Sequence, residues 1–156
     1  MKKLDRMTKQ EKQLLIIDLC ARLPYGVKIK FDNIIKETVF TISELGYLFD
    51  SNRNIIPYLR PVSSMTDKEI ADAVKYIYNT DKVIYTSNGD DGLGFYAEVG
   101  NGTRIKFNEI EFKLGYYGPK GIDWLNAHHF DYRGLIEKGL ALEAPEGMYK
   151  NVPTSI

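Results

Sequence analysis

The chain has one cysteine, Cys20, in 156 residues. No intramolecular disulfide can form, and a Cys-rich zinc site or a CxxC redox motif is excluded with it. Histidine is scarce as well, with only His128 and His129. Long apolar runs are missing. The longest near the N-terminus is Leu14-Leu15-Ile16-Ile17. A membrane span needs about 20 such residues and a signal-peptide core about 7–15. Net charge is missing too, with 21 Lys plus Arg against 21 Asp plus Glu. A general nucleic-acid binder usually carries a basic face. These absences predict a protein without a membrane segment, in a reducing compartment, most simply the cytoplasm.

What is present fits a globular protein. Hydrophobic residues make up 44% and charged residues 27%, near the average for such domains. The length predicts a single α+β domain over residues 1–150, with 151–156 as a flexible C-terminal tail. A chain of this size buries enough surface for a core without metal or disulfide staples. Charge is unevenly spread. Residues 1–60 carry 11 basic and 7 acidic side chains, and residues 61–156 carry 10 and 14. Offsets this small are ordinary in single domains.

Two helices announce themselves by capping boxes. Thr8-Lys9-Gln10-Glu11 opens one, with Ile16, Leu19, Cys20 and Leu23 as its apolar stripe and Pro24-Tyr25-Gly26 as its stop. Cys20 on that stripe reads as a small core residue. Thr66-Asp67-Lys68-Glu69 opens the other, with Ile70, Ala73, Val74 and Ile77 buried and an end near Asn79-Thr80. Between them, Val27, Ile29 and Phe31 alternate as a half-buried strand. Asp32-Asn33 turns the chain. Thr38, Phe40 and Ile42 alternate next, and Tyr47-Leu48-Phe49 reads as a third strand ended by Asp50-Ser51-Asn52. Two prolines make Ile55 to Pro61 an extended connector.

Further strands are expected at Val83 to Tyr85, Phe95 to Val99 and Ile105 to about Glu109, with Ile110 to Leu114 continuing the last. Gly100-Asn101-Gly102 is a hairpin signal. Gly115 to Gly121 reads as a loop. Asp123 then caps a short helix over Trp124 to Phe130. The order predicts antiparallel sheet of about five to six strands, with an N-terminal helix, a middle helix and a short C-terminal helix.

Candidate sites thin out on inspection. A calcium loop framed on Ser87 has Gly92 and Glu98 in place, but Ser87 and Gly89 stand where carboxylate or amide oxygens are expected. Gly89, Gly92 and Gly94 make no phosphate loop. His128 and His129, adjacent on a helix, would point about 100° apart, so both cannot grip one ion. At least one imidazole should pack inward. No cofactor and no metal is implied, and no catalytic residue stands out. Tyr116 and Tyr117, on the Gly-Pro loop, suit a partner-contacting patch, because tyrosine pairs a large apolar body with a polar tip. Trp124, His128, His129 and Arg133 complete the candidate set. Lys28 with Lys30, and Arg104 with Lys106, could form a basic aromatic strand face for nucleic acid; solvated strand faces look the same.

Three stretches stand together. They are Leu19-Cys20-Ala21-Arg22-Leu23-Pro24-Tyr25-Gly26-Val27, then Pro57-Tyr58-Leu59-Arg60-Pro61 leading to Ser63-Ser64-Met65-Thr66, and last Asp123-Trp124-Leu125-Asn126 through Phe130-Asp131-Tyr132-Arg133-Gly134-Leu135-Ile136 to Gly139-Leu140-Ala141-Leu142-Glu143-Ala144-Pro145. Together these resemble a family of uncharacterised small proteins encoded in prophages and mobile elements of the Bacteroides group of gut anaerobes. The resemblance implies a phage-associated accessory protein in a bacterial cytoplasm. It carries no activity, cofactor or site residue. It also implies that the first and last blocks pack together while the middle strands vary. The function expected is binding of a macromolecular partner, foremost another protein. The alternatives are weak nucleic-acid binding or an enzyme with a dispersed site around Trp124 to Arg133.

Overall fold

The computed structural model describes residues 6–31, 37–49, 54–86 and 94–150. The turns expected at 32–33 and 50–52, the 87–92 cluster and the 151–156 tail lie outside the described residues. The chain is α+β and divides into two compact units. One comprises Met1–Pro61 and Asn126–Ile156, the other Val62–Leu125.

The first unit opens with α1, Lys9–Arg22. Its capping box forms as predicted: the Glu11 N–H donates to Thr8 Oγ1 at 3.1 Å, and the Thr8 N–H to Glu11 Oε2 at 2.9 Å. The buried stripe, however, is Leu15, Asp18, Leu19 and Arg22. It follows the helical period, but two of its members are charged. The helix is rotated relative to the predicted stripe. Cys20, expected in the core, is exposed.

A 3-10 turn at Leu23–Tyr25 ends in Gly26, whose positive φ of 66° is cheap only for glycine. The chain then enters β1, Lys28–Phe31, with Val27 and Ile29 buried as expected. β2 is only Thr38–Val39. Ile42 does not extend it. Thr41-Ile42-Ser43-Glu44 is a third capping box, with the Thr41 N–H donating to Glu44 Oε2 at 2.8 Å. It starts α2, Ile42–Leu45, and Gly46–Phe49 continues as a 3-10 turn. The strand expected at Tyr47-Leu48-Phe49 is therefore absent.

Ile55–Leu59 is a strand, β3, and an interior one, not a connector. The sheet order is β2-β1-β3-β7, where β7 is Leu142–Glu143 near the chain's end. Pro57 is tolerated because of its register. It lies opposite Ile29 in β1. Leu59 O accepts from Ala144 N at 2.7 Å, so odd-numbered residues of β3 turn their polar groups toward β7. β7 pairs only with Tyr58 and Leu59, so the missing Pro57 N–H leaves no β7 bond unmade. The β3–β7 pair is parallel and the others antiparallel. Leu15, Leu19, Val27, Ile29, Phe40, Ile55, Leu59, Leu135 and Leu140 form the core. The 19–27 and 123–145 blocks do meet, through Arg22 and Phe130.

The second unit holds α3, Asp67–Tyr78, whose capping box and buried Ile70, Ala73 and Val74 match expectation. It packs on a three-stranded antiparallel sheet of β4 (Val83–Thr86), β5 (Gly94–Val99) and β6 (Thr103–Lys106). Gly100-Asn101-Gly102 joins β5 to β6, as predicted. The strand expected over Ile110 to Leu114 is instead helix α4, Glu109–Lys113, capped by Asn108. The Gly115–Gly121 loop is cut short, because α5 runs Gly118–Ala127. Pro119 falls in its first turn, where a missing N–H costs nothing. Gly121 then sits so close to Tyr117 that a Cβ would lie 2.7 Å from the Tyr117 Cβ. Among the described residues, no helix is long and apolar enough to cross a membrane.

Candidate functional site

The six candidate residues fall in both units: Tyr116, Tyr117 and Trp124 in the second, His128, His129 and Arg133 in the first. Tyr116 and Tyr117 have opposite roles. Tyr116 is 73% exposed. Tyr117 is half-buried, with its hydroxyl accepting from Asn108 N at 2.7 Å and its ring 4.7 Å from Phe107. It pins the turn before α5 to the cap of α4. Nearby, burial pushes the Tyr78 hydroxyl up to about 12, with Tyr117 adding to the shift. Trp124 is buried, its ring 5.7 Å from Phe112.

Tyr116 follows two apolar side chains that sequence reading missed. Ile110 is 73% exposed and Leu114 is 54% exposed. Ile110 lies on α4 and Leu114, four residues on, caps its C-terminus with its N–H bonded to Ile110 O, so the two share one side. The opposite side buries Phe112. In a strand Ile110, Phe112 and Leu114 would line one face together; the helix turns Phe112 inward and leaves Ile110 and Leu114 outward. An open cavity of about 680 Å³ borders this face at Ile110. Its lining includes three aromatic rings, Tyr85, Phe95 and Phe107, the first two 4.9 Å apart, together with the charged Asp67, Lys106 and Glu109. Residues 62–125 carry seven basic and ten acidic side chains, a net charge of −3.

The first unit holds a buried charged cluster. Arg22 grips Asp18 with both arms, Nε to Oδ2 at 2.8 Å and Nη2 to Oδ1 at 3.0 Å. Both side chains are fully buried. Arg133 Nη1 reaches the same Oδ1 at 2.7 Å, and Arg22 Nη2 also donates to Phe130 O at 2.8 Å. Tyr132 lies under both guanidiniums and donates its hydroxyl to Asn126 Oδ1 at 3.2 Å. Burial raises its pKa.

His129 owes its place to the end of α5. The helix stops at Ala127, and His129 adopts a left-handed φ of 60°, a costly conformation for a non-glycine residue. The following segment then runs beside β3. Arg60 N donates to His129 O and Asp131 N to Arg60 O, both at 2.8 Å. The Asp131 carboxylate accepts from Leu135 N and Ile136 N, each at 2.8 Å, and so closes the next turn. The His129 ring is buried and stacks on Tyr149 at 3.9 Å. Burial, reinforced by Arg22, His128, Arg60 and Lys28, drives its pKa down to about 3. Its imidazole is thus neutral and packs inward, as the pairing of two histidines had suggested. His128 is half-buried.

Among the described residues, neither unit brings together a recognisable catalytic centre. Asp131 spends both oxygens on backbone N–H groups, so it does not orient His129 as a base. Among the described residues, no three His, Cys, Asp or Glu side chains cluster as metal ligands. The basic residues considered for nucleic acid fall on separate sheets: Lys28 and Lys30 on β1, Arg104 and Lys106 on β6. Lys28 Nζ is committed to Met148 O at 3.1 Å. Comparison with protein-family models, curated proteins and solved structures gives no match.

Proposed function

We propose that the chain is a binding protein that docks another protein on the surface of α4 and the turn that follows it, where Ile110, Leu114 and Tyr116 are exposed. The observation that carries this reading is the exposure of all three, two of them one helical turn apart. Large apolar side chains gathered on a surface favour association, because covering them removes apolar area from water. The aromatic cavity beside Ile110 would receive a side chain of the partner. The acidic balance of the unit favours a partner with a basic rim around an apolar centre. The resemblance of the three sequence blocks supports a phage-associated accessory role in a bacterial cytoplasm.

Nucleic-acid binding through a combined basic strand face has less support, because the contributing lysines and arginines belong to different sheets. The test is site-specific photocrosslinking from position 116 in the full chain, expressed in its bacterial host. The reading predicts one discrete protein adduct, lost when Ile110→Glu and Leu114→Glu are added. Adducts that persist in the charged variant would overturn it.

A further inference from the structure

An edge strand invites pairing with another chain unless it is short, charged or broken by proline. In the first unit the edges are β2 and β7, of two residues each. In the second they are β6 and β4. β6 carries Arg104 and Lys106. β4, Val83-Ile84-Tyr85-Thr86, has no charge, no proline and no glycine. Among the described residues it is the edge that none of these devices blunts.

The hydrogen bonds of β5 fix which groups of β4 point outward. Glu98 N donates to Lys82 O at 3.0 Å, and Phe107 N donates to Phe95 O at 2.8 Å. Even-numbered residues of β5 therefore bond β4, and odd-numbered ones bond β6. Ile84 lies opposite Tyr96 and Thr86 opposite Gly94, so these two complete the ladder. Val83 and Tyr85, opposite Ala97 and Phe95, turn their N–H and C=O away from β5. Tyr85 is 53% exposed.

That edge is complementary to itself. When two copies meet antiparallel about a two-fold axis at Ile84, Val83 of each stands opposite Tyr85 of the other and exchanges both backbone bonds with it. This two-fold register alone engages every outward residue of β4. Apolar side chains then meet across it, Tyr85 with Val83 on one face and Ile84 with its own copy on the other. Lys82 stands opposite Thr86, so like charges do not oppose each other. The same operation on β6 would set Arg104 against Lys106, cation against cation. We propose that β4 is a self-docking edge, on which a second copy of this chain adds with Ile84 at the axis and joins the two three-stranded sheets into one of six. A strand of four residues is far short of the about 20–30 residues a side of a stable interface, so the dimer is weak, with a Kd on the order of 1 mM. At micromolar concentration the chain is monomeric. The pairing uses the backbone of β4 and none of Ile110, Leu114 or Tyr116, so it stands or falls apart from the docking surface proposed above.

The test is register-specific cross-linking of the full chain, with Cys20→Ser removing the exposed native thiol. Single cysteines are introduced by Ile84→Cys, Tyr85→Cys or Arg104→Cys, and each variant is mildly oxidised at about 1 mM. Residues directly opposite in a non-hydrogen-bonded antiparallel pair have Cα atoms about 4.5 Å apart, within disulfide reach. Ile84→Cys, the position facing its own copy, should cross-link about tenfold faster than Tyr85→Cys or Arg104→Cys, although Tyr85 is the more exposed residue of β4. Equal rates at the three positions would mean random collision and overturn the proposal. Translational diffusion without cross-linking, from about 0.05 to 2 mM, reads the dimer itself. It should be lost in Tyr85→Pro, which removes an outward N–H where an edge strand tolerates proline. It should also be lost in Ile84→Lys, which sets two cations face to face, and persist in the Ile110→Glu, Leu114→Glu variant. A wild type that stays monomeric throughout, a dimer that survives both β4 substitutions, or one lost with Ile110 and Leu114 would overturn the self-docking edge.

Discussion

Asp18 and Arg22 face each other one turn apart on α1, joined by two hydrogen bonds of 2.8 and 3.0 Å and wholly removed from solvent. A pair this deep is costly to assemble and more costly to break, because the survivor remains a buried, uncompensated charge. Asp18→Ala strands Arg22 and removes the anchor of Arg133. It should cost about 3–5 kcal/mol in denaturant unfolding. Arg133→Ala removes only the partly exposed partner and should cost about 1 kcal/mol or less. Equal losses in the two variants would mean that Arg133, not Arg22, neutralises Asp18.

The neutral His129 sets a pH dependence. In the folded chain it protonates only near pH 3, whereas unfolded histidine protonates near 6.5. Between these values the unfolded state binds the additional proton. Stability therefore falls as pH drops from about 6.5 toward 3, by up to about 1.4 kcal/mol per pH unit from this residue. His129→Phe keeps an aromatic ring against Tyr149 and removes the titration. Its unfolding free energy should lose that slope. A wild-type and variant slope that coincide across this window would show that His129 is solvated in the folded state.

Two glycines make a matched pair. Gly121 has the Tyr117 Cβ within 2.7 Å of where its own Cβ would be, whereas Gly46 has nothing within 4 Å and an ordinary helical φ of −61°. Gly121→Ala should destabilise by about 1–3 kcal/mol through overpacking. Gly46→Ala should be neutral or stabilise by up to about 1 kcal/mol. Thermal unfolding of the two variants reads the difference directly.

The third capping box offers a local check. Thr41→Ala removes the Oγ1 that accepts from Ser43 N and bonds Glu44. It should cost about 1 kcal/mol, as Thr8→Ala should at the start of α1. No loss at Thr41 would mean that α2 is held by packing alone.

The helices with capping boxes were legible because their signal is local: Thr8 with Glu11, and Thr66 with Glu69, lie three residues apart. The same motif at Thr41 and Glu44 was masked by the alternation of Thr38, Phe40 and Ile42, which mimics a strand. β3 was hidden by Pro57, whose acceptance depends on how far β7 extends, a fact set by residues some eighty positions away. The charged cluster was harder still. Its spacing was visible, but a charge on a helix normally reads as facing water. Phe130 O and Arg133, 108 and 115 residues distant, help to satisfy Arg22 and Asp18 in the interior. Tyr116 was legible as an exposed aromatic on a glycine-rich turn. Ile110 and Leu114 were not, because their exposure follows from α4 being helix.

Docking of a protein on the α4 face is the central claim. Its most direct test is a native mass spectrum of the 17.9 kDa chain, gently purified from its own host, beside the Ile110→Glu, Leu114→Glu variant. The account predicts a species carrying the added mass of a bound protein, absent from the variant. A bare chain in both preparations, or an added mass that survives the two charges, would contradict it.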